Sequence, residues 1–493
     1  MRQLLLLLAL LFAFTADAQK KREFRGAWIQ CVNGQFEGKG TAQIQETLRY
    51  QLDELRKDGV NAIIFQVRPE CDALYNSELE PWSRFLSGRQ GKVPYPYWDP
   101  LQWMIDECHA RDMELHAWIN PYRAKTKTTT QLSTKHIAVR KPRNCFNYDG
   151  QLILNPGIQE NTDYICSVVR DIVTRYDVDG LHLDDYFYPY PVAGESIPDQ
   201  AQFRVSGKQF HNINDWRRNN VNLFIKQLYE TVHKAKPWVK VGISPFGIYR
   251  NQSNDLNGSK TYGLQNYDDL YADVLLWIEK GWLDYCAPQL YWEIGHKTAD
   301  YATLMRWWNN YAGGRPLFIG EDVERTVKAA DPNNRRQNQQ IAKHNLYMQS
   351  KNVQGVVLWY AKMVVDNPGN YGTMLRKNYW QHPSLMPKMP FIDKKRPRKP
   401  RKVKDVWVGP DHILSWTPPR GKKWTNKAEK YVVYCFRKGE KIDTENPEKI
   451  MAVTSKTSYK LPYYNKRQEY VYVVTALDRM HNESKIVKRK VKL

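Results

Sequence analysis

Eight short apolar runs, alternating with stretches of helical spacing, fill most of the first four-fifths of this 493-residue chain. The runs fall at residues 24–30, 61–68, 114–121, the apolar start of 176–189, 240–244, 283–291, 316–320 and 355–360. Between them lie segments whose apolar residues recur every three or four positions, at 41–57, 99–111, 159–175, 215–236, 268–280, 301–311 and 337–350. Strand and helix in strict alternation predict a parallel sheet with crossover helices, and eight such repeats predict a closed (β/α)8 TIM-type barrel. No strand is followed by the Gly-rich phosphate loop that a doubly wound sheet would carry. The polar, Thr- and Lys-rich segment 125–151 reads as one long loop.

The rest of the chain divides by composition. Residues 1–18 have a positive start, an apolar core over Leu4 to Phe14 and a small-x-small end at Ala16-Asp17-Ala18. That is the pattern of an export signal, so the expectation is a periplasmic or secreted protein. No later stretch reaches transmembrane length, and stable membrane insertion is not expected. The barrel is assigned to 19–390. A basic, proline-punctuated linker follows at 391–404, and 405–493 reads as a small all-β sandwich. Its early Trp416, its Tyr-rich strand at 430–436 and its late strand at 469–476 resemble a fibronectin type III domain. The seven cysteines are scattered and odd in number, which fits neither a disulfide framework nor a zinc site. The net charge of +22 would suggest nucleic acid for an intracellular protein; export redirects it to polyanions of the cell envelope.

In a barrel of this kind the chemistry sits at the C-terminal strand ends, and polar residues gather there. Alternation along a strand puts His182 and Asp184 on one face, with Leu181 and Leu183 on the other. Asp185 comes one residue later, where the strand turns into its loop. Adjacent acids at a strand end can also act as local caps. Here Tyr186-Phe187-Tyr188 follows directly, and aromatic faces stack on the C–H faces of sugar rings. A carboxylate pocket walled by aromatics points to glycan, and glycosidic cleavage calls for paired carboxyl groups. The catalytic candidates are Asp184 and Asp185, with Asp72 or Glu293 as a partner from another strand end. The substrate-binding candidates are Gln66, Arg68, His116, Asn120, His182, Tyr186, Ser244, Gln289, Tyr291, Trp292 and Trp359. Arg68 suits an anionic group, because a guanidinium pairs well with carboxylates. No His or Asp spacing supports a metal site, and no cofactor is expected.

Several of these segments carry a family resemblance. "FRGAWIQ", "GVNAIIFQVRPECDALY", "ELHAWINPYR", "DGLHLDDYFYPYP", "VGISPFGIYRN", "LDYCAPQLYW" and "LFIG" occur in order over residues 24–320. Together they resemble the glycosyl-hydrolase-like 10 family (DUF187). The resemblance implies a catalytic barrel of glycoside hydrolase type. It also implies a kinship with exported bacterial proteins acting on peptidoglycan glycan strands, notably strands stripped of peptides. "DGLHLDD" is similar to the strand-four motif of α-amylase-type barrels, whose inward Asp is a nucleophile; that position is Asp184 here. His182 stands where that motif has Arg, a departure from an amylase-like mechanism. The family's "VRP…DALY" pattern falls on Arg68 and Asp72.

The leading expectation is an exported glycoside hydrolase acting on an anionic or amino-sugar polymer of the cell envelope. Two readings compete with it. One is a hydrolase of a neutral polysaccharide such as α-glucan, and the other a glycan-binding barrel without catalysis.

Overall fold

The computed structural model describes residues 19–462 and 468–493. The segment read as an export signal, 1–18, lies outside the described residues. The chain forms two compact units. Of the described residues, one unit comprises Phe24–Met374 with Met389–Ile392, and the other Leu375–Lys388, those from Asp393 onward and 19–23.

The first unit is a closed barrel of eight parallel strands in sequential order. They are β1 (Phe24–Ile29), β2 (Ala62–Arg68), β3 (Glu114–Ile119), β4 (Gly180–Leu183), β5 (Lys240–Ile243), β6 (Tyr285–Cys286), β7 (Leu317–Asp322) and β8 (Val353–Trp359). The ring closes where β1 pairs with β8, Gly26 opposite Val357. The crossover helices include α1 (Thr41–Lys57), α2 (Pro100–Ala110), α3 (Gln159–Arg175), α4 (Ile213–Ala235), α5 (Val274–Lys280), α6 (Tyr301–Asn310) and α7 (Gln340–Gln349). Their starts follow local chemistry. Asp99, Asn212, Asp273 and Asp300 each accept a hydrogen bond from a first-turn N–H, and Pro100 opens α2.

The barrel centre is aromatic. The Phe24 and Phe318 rings stack at 4.3 Å, with Tyr285 5.0 Å from Phe318 and His116 5.4 Å from Phe24. This layer fills the interior, so the strand ends alone are open for chemistry.

Three local features differ from the sequence reading. The strand expected at 283–291 is continuous as a strand only at Tyr285–Cys286, with isolated bridges further on from Gln289 to Phe246 and to Gly320. Pro288 interrupts it, because proline lacks the N–H that a ladder needs. The expected helix 268–280 is split into Asn266–Asp269 and α5, with Tyr271 at φ 55° between them. The segment read as a long loop, 125–151, carries one strand, Cys145–Tyr148, and its two ends run into the others of a three-stranded antiparallel sheet, Arg123–Lys125 and Gln151–Leu154. Its hairpin turns on Asp149-Gly150, at φ 49° and 73°, the Asp-Gly pair that a tight two-residue turn favours.

The second unit contains seven antiparallel strands: β9 (Arg401–Val408), β10 (Asp411–Thr417), β11 (Lys430–Arg437), β12 (Ile450–Thr454), β13 (Ser458–Lys460), β14 (Glu469–Leu477) and β15 (Val487–Lys492). One sheet has the order β9-β10-β13 and the other β12-β11-β14-β15. Alternate residues of both sheets meet in one core, with Leu414 and Trp416 against Tyr431, Val433, Tyr472 and Val474. The first strand begins at Arg401, inside the segment read as linker. No disulfide joins any two of the seven cysteines.

Candidate active site

A cleft of about 1380 Å³ opens at the C-terminal ends of the barrel strands. Its wall is aromatic. Trp359 lies 6.1 Å from Trp28, 6.2 Å from Trp118 and 6.1 Å from Tyr291 between ring centroids, and all four rings line the cleft. Tyr186 and Tyr190 stack on each other at 5.5 Å on the loop after β4. Among the described residues, the carboxylates lining the cleft are Asp184, Asp185 and Glu37. The cations lining it are Lys39, Arg84, Lys92, Arg123 and Lys127.

Asp184 and Asp185 are both buried, and different elements hold them. Asp184 accepts from Trp118 Nε1 at 3.2 Å and from the Tyr186 backbone N–H at 3.3 Å. Asp185 accepts from the Tyr190 hydroxyl and from Gln289. Burial, with the neighbouring Asp185 charge second, pushes the Asp184 carboxyl up to about 7, against the pull of Arg123. Burial also raises Asp185, while Tyr190 and Gln289 favour its anion. Two adjacent buried acids resist double ionisation, so near neutrality the pair keeps one proton. The long, weak bonds to Asp184 and the stronger donors on Asp185 place that proton on Asp184. A carboxylic acid beside a carboxylate is the equipment of acid–base cleavage.

The family model for Glycosyl hydrolase-like 10 matches residues 23–336. The chain belongs to that family. Glycosyl hydrolase YngK of Bacillus subtilis (strain 168) is 38% identical over 493 residues, covering 97% of this chain and 95% of that protein. Glycosyl hydrolase DigH of Escherichia coli (strain K12) is 40% identical over 274 residues, 54% of this chain and 62% of that protein. The glycoside hydrolase domain of PgaB (BpsB) from Bordetella bronchiseptica is 11% identical with a TM-score of 0.47, over 73% of this chain and 99% of that one. The barrel is that of a glycoside hydrolase.

Of the residues expected at this glycosyl hydrolase site, Asp184, Asp185, Gln66, Tyr186, Ser244, Gln289, Tyr291 and Trp359 line the cleft. Gln66 has its amide committed: Oε1 accepts from the Cys31 N–H at 3.1 Å, and Nε2 donates to Asn120 Oδ1 at 3.1 Å. Ser244 Oγ is buried and has no partner.

The others lie elsewhere. Arg68 does not share a face with Gln66, because the β2–β3 register shifts between them. That bulge turns Arg68 into a buried two-pronged pair with Glu80, at 2.6 to 3.0 Å, and onto the Asn120 and Pro121 carbonyls. The side chain is fully buried and does not line the cleft, so it meets no anionic sugar there. Asp72 is buried behind the cleft, accepting from the Glu70 N–H and from Gln90 Nε2, each at 3.1 Å. Burial and the Glu70 charge push its carboxyl up to about 7. Glu293 and Trp292 do not line the cleft; Trp292 packs edge-on against Phe246 at 5.4 Å. Asn120 sits beneath Gln66.

His116 and His182 belong to a hydrogen-bonded chain inside the barrel. Trp28 Nε1 donates to His182 Nε2 at 3.3 Å, and His182 Nδ1 meets the Tyr285 hydroxyl at 3.0 Å. That hydroxyl meets His116 Nδ1 at 2.8 Å, and His116 Nε2 meets Glu114 at 3.0 Å. Glu114 is paired with Lys240 at 2.8 Å. A single direction satisfies every partner: each group donates toward Glu114. Burial, with His116 second, holds the His182 imidazole well below its usual pKa, and it is neutral.

Sequence reasoning missed Trp28, Tyr190 and Arg123 as site residues. Trp28 was legible from alternation along "FRGAWIQ", which places Phe24, Gly26 and Trp28 on one strand face. Arg123 falls between the predicted third strand, 114–121, and the segment read as loop, 125–151, and was assigned to neither; the small sheet holds it, with the guanidinium 3.9 Å above the Tyr186 ring.

Proposed function

We propose that this glycoside hydrolase cleaves an amino-sugar glycan of the cell envelope, namely peptidoglycan glycan strands, after export. The observation that carries the reading is the cleft: a buried acid pair and four aromatic rings inside, with Lys39, Arg84, Lys92, Arg123 and Lys127 along its lining. Such a lining favours a polymer that is both sugar and anion. The motif resemblance and the signal-like segment at 1–18 support the same reading. The strand order β9-β10-β13 and β12-β11-β14-β15 supports reading the C-terminal unit as fibronectin type III-like.

In this reading Asp184 protonates the departing glycosidic oxygen, because its carboxyl keeps the pair's proton near neutrality. Asp185, held as the anion by Tyr190 and Gln289, stabilises the positive charge that develops at the sugar. The test is to incubate the enzyme with peptide-free glycan strands and, separately, with neutral α-glucan, and to weigh the products by mass spectrometry. Shortened amino-sugar chains, absent with Asp184→Asn and Asp185→Asn, are expected. Cleavage of α-glucan alone overturns the substrate assignment, and undiminished activity in both variants overturns the site.

A further inference from the structure

We infer that cleavage runs through the substrate's own 2-acetamido group, so that the sugar whose bond is cut must be a 2-acetamido-2-deoxy sugar. This rests on the site reading above.

An enzyme nucleophile and an acid flank the scissile bond from two sides, about 5–5.5 Å apart, and an inverting pair stands about 6.5–9.5 Å apart across it. Either arrangement needs a carboxylate facing the acid. Among the described residues, the cleft offers Asp184 and Asp185, which are neighbours on one strand end, and Glu37. Glu37 is exposed on the loop after β1, folded back over Gly34: a Cβ built there would stand 3.3 Å from Glu37 Oε2. Glu321, at the end of β7, is also turned away from the cleft. It accepts from Tyr371 at 3.0 Å and from Tyr301 at 3.3 Å. What accompanies the acid pair is the aromatic cup of Trp28, Trp118, Tyr291 and Trp359.

That combination matches an acetamide. Its N–H needs an anionic acceptor, which Asp185 supplies, and its methyl needs apolar walls, which the indole rings supply. The chemistry then closes without an enzyme nucleophile. Asp184 gives its proton to the glycosidic oxygen as the C1–O bond breaks. The acetamide oxygen forms a new bond to C1, giving a cyclic oxazolinium whose N–H is held by Asp185. Water then adds to C1 and gives a proton to Asp184; the ring C1–O bond opens, and the acetamide is restored. Two displacements at C1 return the original anomer.

The test compares kcat on three chains of one length, carrying N-acetyl, N-trifluoroacetyl or a free 2-amino group, and follows the first-formed anomer by NMR. Fluorination weakens the acetamide oxygen as a nucleophile. We expect the retained anomer from the N-acetyl chain. The N-trifluoroacetyl chain should be at least about tenfold slower, ~1.4 kcal/mol on the barrier, and the free amine should not be cleaved. Equal kcat for the acetyl and trifluoroacetyl chains, or an inverted product, overturns the inference while leaving the amino-sugar assignment standing. Cleavage of neutral glycans alone overturns both.

Discussion

At the scale of single residues, proton placement sets the behaviour. The Asp184–Asp185 pair works with one proton. As pH rises through about 7 the pair loses it and the rate falls; in acid the pair gains a second proton and the rate falls again. A bell-shaped kcat profile with its alkaline limb near 7 is expected, and a rate flat from pH 6 to 9 would contradict the assignment. The two acids separate by leaving group. Asp184→Asn should lose about 10²–10⁴ in kcat on natural chains, yet on an aryl glycoside, whose leaving group needs no proton, it should keep a fast first release of the aryl alcohol followed by slow turnover, because Asp184 also takes the proton from water. Asp185→Asn should lose both. Asp72 behaves differently, because it touches no cleft surface. Burial holds its carboxyl in the fold up at about 7, above the roughly 3.9 of a free Asp side chain. Its contribution to stability is therefore fully present below about pH 4 and is lost as pH rises through 7. Asp72→Asn removes that alkaline loss. Relative to wild type, its melting temperature should be higher at pH 8 than at pH 5, with kcat little changed. An equal offset at both pH values would count against burial as the cause. The sequence showed Asp72 as an acid near a strand end. It could not show that Gln90 and Glu70, brought in by loops, enclose it.

At the scale of elements, the strands were legible because their pattern is local: short apolar runs, helical spacing between them, and acids at N-caps. The register shift after Gln66 was not, since a bulge depends on the partner strand; it removed Arg68 from the site. The chain from Trp28 to Glu114 likewise depends on four strands, β1, β3, β4 and β6, meeting in the barrel. Sequence alternation identified His116 and His182 as inward, but not that they serve Trp28. Two glycines leave room for this chain. A Cβ at Gly242 would stand 1.8 Å from the Tyr285 ring, and one at Gly180 would stand 2.4 Å from His116 Nδ1. Gly242→Ala should therefore push Tyr285 off both histidines. Tyr285→Phe removes the hydroxyl without a clash and leaves two buried ring nitrogens unpaired, a loss of about 1–3 kcal/mol for each unsatisfied group. Both variants should lower the denaturation midpoint. Because His182 then loses the bond that orients it toward Trp28 at the cleft floor, Tyr285→Phe should also raise KM. A fully stable Gly242→Ala variant with normal KM would show that the chain has no positioning role.

At the scale of the whole molecule, charge is unevenly distributed. Residues 393–493 carry 27 Lys and Arg against 11 Asp and Glu, so this fifth of the chain holds most of the +22. Part of the excess lies in β15, where Lys488, Lys490 and Lys492 are exposed and alternate with Arg489, bound to Asp405, and the buried Val491. Two physical roles compete for such a strand. β15 is the edge of its sheet, and edge lysines keep strands from pairing with other chains. Alternatively, a row of cations at roughly 7 Å spacing suits a polymer with regular negative charge. Salt separates the roles, since exposed charges are screened beyond about 8 Å at physiological ionic strength. If the strand engages an anionic envelope polymer, replacing all three lysines with Glu should lower the salt concentration that elutes the protein from an immobilised anionic glycan. The kcat on a short oligosaccharide should stay unchanged, because these lysines line no part of the barrel's cleft. If the lysines only guard the edge, elution should shift no more than for the same three substitutions at Lys226, Lys280 and Lys328 on the barrel helices. The triple β15 variant should then aggregate no more than wild type, because glutamates guard an edge as well as lysines do.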